Sequence, residues 1–92
     1  MKPIRYSNHA ALQMALRGAT EKEVITAIRP GKWWGARMGK LTAKYRFNFN
    51  MVSRTNQKVY KFKTVEAIFT DEPDEIVVIT VKVYYFNEEG KL

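Results

Sequence analysis

The only histidine, His9, stands two helical turns before Arg17, and a later strand carries Thr80, Lys82 and Tyr84 in alternation. These residue types suffice for RNA cleavage without a metal. A general base takes the 2′-OH proton, an acid protonates the leaving 5′-oxygen, and cations stabilise charge on the phosphorus. At ~100° per helical residue, His9, Gln13 and Arg17 fall on adjacent lines of one polar stripe. Ala11, Leu12, Ala15 and Leu16 occupy the opposite arc and are expected to face a sheet. Histidine suits proton transfer near neutral pH, although a lone one at a helix start also serves as a cap or a local hydrogen-bonding group. Strand alternation puts Thr80, Lys82 and Tyr84 on one face with Ile76 and Val78. If the helices cover that face, His9, Arg17, Thr80 and Tyr84 line one groove. The alternative makes Thr80 a strand former, Tyr84 a rim aromatic and Lys82 a solvated cation.

The surroundings favour a polyanion. Between Val24 and Val65 lie ten Lys or Arg residues and no Asp or Glu, within a chain of net charge +7. Tyr and Phe are interleaved with the cations, the footprint of a nucleic-acid surface. Lys44, Arg46, Lys61 and Lys63 are the expected holders of an RNA backbone, Lys44 and Arg46 first because they form the polar face of a strand. Tyr45, Phe47 and Phe49 alternate against them and belong to the core. Trp33 and Trp34 are adjacent, so in an extended chain one of them is exposed and able to stack on a base. A non-catalytic RNA- or DNA-binding module, or a basic adaptor for an acidic protein, fits the same charge.

Positioning these groups requires helices and strands in a definite order. Pro3 keeps the first six residues extended. Ser7 or Asn8 caps a helix that runs to about Arg17, and Gly18 ends it in the left-handed conformation. Thr20 and Glu23 form a capping box for a second helix whose apolar face is Val24, Ala27 and Ile28. Pro30-Gly31 stops that helix. Alternation then predicts a strand from Leu41 to Phe49 and, after a polar loop at 51–57, another from Lys58 to Thr70. Asp71-Glu72-Pro73-Asp74 is a turn, and Glu75 to Phe86 a central strand with both faces partly covered. Trp33 to Met38 is a further candidate strand. The expected architecture is α+β: two short N-terminal helices (about 7–29) packed on a three- to four-stranded antiparallel sheet (about 33–86), with a frayed tail at 87–92, in a single domain spanning 1–92.

Other classes are disfavoured. One histidine and no cysteine leave no zinc spacing. The acidic turn lacks the periodicity of a calcium loop, and no Gly-rich phosphate loop occurs, so neither metal nor cofactor is expected. No apolar run approaches the ~20 residues of a membrane span. The absence of cysteine suits a reducing cytoplasm, and the first residues lack the apolar stretch of a signal peptide.

The stretch Tyr6-Ser7-Asn8-His9-Ala10, then Met14, Arg17-Gly18-Ala19-Thr20, Glu23-Val24 and Ile28, with Val77-Val78-Ile79-Thr80-Val81 near the end, resembles the bacterial family called domain of unknown function 4258. The resemblance covers residues 6–30 and 75–85. The chain departs from it at Gln13, where the family usually has Arg before Met, and Tyr84 falls slightly late. It implies a fold similar to the RelE, barnase and colicin ribonuclease superfamily. It also implies a toxin-type activity on mRNA, in some members on the ribosome, and a neutralising antitoxin partner. His9 and Arg17 match its helix signature, and Thr80 its terminal strand.

Overall fold

The structure, a computed structural model, describes residues 2–88. Its elements are β1 (Ile4–Tyr6), α1 (Asn8–Arg17), α2 (Glu21–Ile28), β2 (Trp34–Gly35), a 3₁₀ turn (Arg37–Gly39), β3 (Leu41–Val52), β4 (Val59–Asp71) and β5 (Ile76–Phe86). The local signals act as expected. Ser7 Oγ accepts from the N–H of Ala10, and Gly18 closes α1 at φ 85°. Thr20 and Glu23 make both bonds of the capping box. Val24, Ala27 and Ile28 are buried.

The sheet has five strands in the order β1-β5-β4-β3-β2 and is mixed. This corrects the expected three- to four-stranded antiparallel sheet. The extended N-terminus joins as an edge strand, with Ile4, Arg5 and Tyr6 parallel to Ile76, Val77 and Val78. Only Trp34 and Gly35 of the candidate strand at 33–38 pair, opposite Thr42 and Leu41. From residue 89 onward the expected tail lies outside the described residues. Among the described residues no helix is long and apolar enough to cross a membrane.

Both helices pack on one face of the sheet, over a core of Ala10, Met14, Val24, Ile28, Ala43, Val65, Ala67, Phe69, Ile76, Val78 and Val81. The orientation of α1 differs from expectation. Ala10, Gln13 and Met14 are its buried residues, while Leu12 and Leu16 are 58% and 63% exposed. The reason lies in β5. Beyond Val78 it has no strand partner on the β1 side among the described residues, so its backbone groups need other partners. Ser7 Oγ donates to Ile79 O (3.1 Å), and Gln13 Oε1 accepts from Val81 N–H (2.8 Å). Arg17 Nη1 donates to Val81 O (2.8 Å). Leaving these three backbone groups unpaired would cost about 1–3 kcal/mol each, enough to offset the roughly 1.5–3 kcal/mol that burial of each leucine would contribute.

Candidate nucleic-acid interface

Of the four groups expected to form one groove, His9 stands apart on α1, Thr80 and Tyr84 lie on the helix-free face, and Arg17 sits at the β5 edge, close enough for its charge to act on Tyr84. His9 is exposed on α1 and makes no hydrogen bond or ion pair among the described residues. Arg17 is committed to the β5 edge through Val81 O. Thr80 and Tyr84 point to the opposite, helix-free face. A bulge causes this: Ile68 pairs with Thr80 but Phe69 with Val78, leaving Ile79 as an extra residue. The extra residue reverses the side-chain parity downstream. Ile76, Val78 and Val81 are buried toward the helices, whereas Thr80, Lys82 and Tyr84 lie across the sheet. The continuous alternation read from the sequence therefore breaks at one residue, and His9 does not converge with Thr80 and Tyr84.

The expected backbone-binding cations divide similarly. Lys63 is 4% exposed on the helix side. Its ammonium donates to Gly18 O (2.9 Å) and pairs with Glu23 (2.8 Å), with the Phe49 ring centroid 4.9 Å away. It ties β4 to the α1–α2 turn, on the side of the sheet away from Lys44 and Arg46. Lys61 is exposed at the far end of β4, its N–H held by Asn87 Oδ1 (2.9 Å). Five residues of strand, about 17 Å, separate it from Glu66. Lys44 and Arg46 are exposed on the helix-free face, as their alternation required.

On that face a carboxylate stands between two lysines. Glu66 on β4 pairs in register with Lys44 on one side and Lys82 on the other. Its Oε2 accepts from Thr42 Oγ1 (2.8 Å) and its Oε1 from the Tyr84 hydroxyl (3.2 Å). Neither lysine is drawn into an ion pair among the described residues, so both ammonium groups remain available to an anion. Partial burial raises the Tyr84 hydroxyl above its ordinary value, as do the charge and the hydrogen bond of Glu66, while Arg17 acts against them. Tyr84 is thus a neutral donor at physiological pH.

Two hollows flank this centre. One is lined by Trp34, Thr42, Lys44 and Glu66. The other is lined by Ala36, Arg37, Lys40, Ile68, Thr80 and Lys82, so the β2–β3 connection adds two cations to the face. Trp34 is 53% exposed beside Thr42, while Trp33 packs edge-on against Phe69 at 5.0 Å and donates its Nε1–H to Ile28 O. The expectation that one of the two tryptophans is exposed holds, with Trp33 partly buried. Further along, Arg46 lies over Phe62 (5.2 Å), which stacks on Phe86 (5.5 Å). A helix-free sheet with cations and accessible rings has the parts that hold a single-stranded polynucleotide: phosphate donors and stacking surfaces.

Glu66 was missed in the sequence, although a signal existed. It is the first carboxylate after the acid-free run, placed within a long strand and opposite the polar face of the preceding one. Among the described residues, no cluster of three or more His, Asp or Glu side chains could hold a metal ion. No family model, curated protein or solved structure matches the chain.

Proposed function

We propose that this protein is a small cytoplasmic endoribonuclease of the toxin type, acting on single-stranded RNA laid across the helix-free sheet face. In this proposal Glu66, rather than His9, is the proton acceptor. The observation that carries it is the placement of Glu66 between Lys44 and Lys82. A carboxylate amid phosphate-binding cations weakens binding, so its place there calls for a role beyond affinity. With a phosphate held by the flanking lysines, the adjoining ribose 2′-OH reaches the carboxylate. Glu66 takes its proton and the 2′-oxygen attacks phosphorus. The bond to the 5′-oxygen breaks, and Lys82 protonates the leaving oxygen. A 2′,3′-cyclic phosphate and a 5′-hydroxyl result. Lys44 and Arg46 offset charge in the transition state, Thr42 and Tyr84 fix the carboxylate, and Trp34 stacks on a base. The resemblance of residues 6–30 and 75–85 to a family of unknown function implies the same class of activity, although the residues that carry it, His9, Arg17 and Thr80, take no part in this mechanism.

A second reading, a non-catalytic RNA-binding module, is favoured by one fact. Both oxygens of Glu66 already accept bonds within the protein, which also suits a cross-strand staple. End-labelled RNA incubated with the protein in EDTA, with and without ribosomes, separates the two. Cyclic-phosphate ends produced by the wild type and lost in Glu66→Gln, with binding retained, support cleavage. Binding without cleavage in either protein establishes the module, and absence of binding removes both.

A further inference from the structure

We propose that the free edge of β3 is a docking site for an extended, acidic segment of a partner protein, which adds to the sheet as a sixth strand. The inference goes beyond RNA binding and rests on the strand edge. β3 is paired along its length with β4, but on its other side β2 covers only Leu41 and Thr42. Among the described residues no strand pairs with the remainder, Ala43 to Val52, on that side. The run from Ala43 to Asn48 keeps regular register with β4 until the irregularity between Asn48 and Met51, where Asn50 takes φ 51°. Such an edge presents a row of backbone donors and acceptors to an incoming chain.

Charge selects the occupant. Lys44 and Arg46 project from the helix-free side of this edge, and Tyr45 and Phe47 from the other, with their rings 5.0 Å apart and Tyr45 45% exposed. The strand carries no Asp or Glu. A second copy of β3 added here brings Lys44 and Arg46 against their own kind, and like charges on neighbouring strands repel. A segment with Asp or Glu at alternate positions and apolar residues between them meets both rows at once: carboxylates reach the cations, and apolar side chains cover Tyr45 and Phe47.

The test uses a short acetylated and amidated peptide alternating Glu with Val, titrated into the isotopically labelled protein. Amide exchange and binding are followed by NMR. The expected result is slowed exchange at alternate residues between Ala43 and Asn48. Affinity should fall on the order of tenfold or more in the Lys44→Glu/Arg46→Glu variant. The same peptide methylated on alternate amide nitrogens keeps its charge but loses its strand donors, and is expected not to bind. Equal binding of the methylated peptide, protection elsewhere in the sheet, or no binding overturns the proposal. So does a dimer of the protein alone with these β3 amides protected, which assigns the edge to a second copy.

Discussion

Glu66 and Gly18 show how much rests on single side chains. Glu66→Gln preserves shape and the acceptor for one neighbour while removing the charge. RNA cleavage is expected to fall by about 10²-fold or more, the usual contribution of a positioned base. Binding of a fluorescent oligonucleotide is expected to stay equal or tighten, because one negative charge leaves a cationic face. If anisotropy shows binding lost together with cleavage, Glu66 is a staple and not a base. Gly18 sits at φ 85°, and an added Cβ would lie 2.6 Å from the Tyr85 hydroxyl oxygen. That hydroxyl donates to Arg17 O at 2.5 Å, so it is poorly placed to yield. Gly18→Ala is expected to cost at least the roughly 1–2 kcal/mol of a left-handed non-glycine residue, read from urea unfolding.

At the scale of elements, α1 acts as a guard for the open edge of β5. Gln13→Ala removes the acceptor for Val81 N–H and is expected to destabilise by about 1–3 kcal/mol. Leu12→Ser and Leu16→Ser, on the exposed arc, should stay within about 0.5 kcal/mol of wild type. The reverse ranking in denaturant midpoints would show that the helix packs through its leucines. The link between β4 and the helices behaves likewise. Lys63→Ala leaves the Glu23 carboxylate and Gly18 O without their shared cation, and a loss of about 3 kcal/mol is expected. Lys61→Ala, on an exposed side chain, should be close to neutral.

For the whole molecule, charge and titration set the working range. Tyr6, Tyr84 and Tyr85 are all raised above the ordinary value of 10.0, chiefly by burial. The folded protein therefore holds these protons where the unfolded chain releases them. Their contribution is complete below pH 10 and is lost as pH rises from there through the folded values. Glu75 is lowered from 4.5 by its hydrogen bond from Arg5, so its contribution is present above that pH and fades as acid protonates it. A thermal midpoint that is flat near neutrality and falls steeply above pH 10 is expected, and Tyr85→Phe should make the alkaline limb shallower. With a net charge of +7, RNA affinity should also fall linearly on a log–log plot against salt. Charge removal at Lys44 or Lys82 should reduce that slope by about 0.7 each on single strands.

The helix ends, the apolar face of α2, the two long antiparallel strands and the basic field were legible from the sequence. Their causes are local: Ser7 caps its own helix, Thr20 meets Glu23 within one turn, and Lys44 and Arg46 alternate against Tyr45 and Phe47. Tertiary structure alone decided which side each candidate faces. The leucines of α1 are turned outward because β5, far away in sequence, needs Gln13 and Arg17 on its edge. Thr80 and Tyr84 are separated from His9 because one extra residue at Ile79 inverts an otherwise regular alternation. Lys63 is drawn inward by Glu23, and Glu66 acquires its two lysines only when β3 and β5 close on either side of β4. Periodicity reports what a segment can bury, whereas strand register and unsatisfied backbone groups determine which face is buried and which remains to meet a ligand.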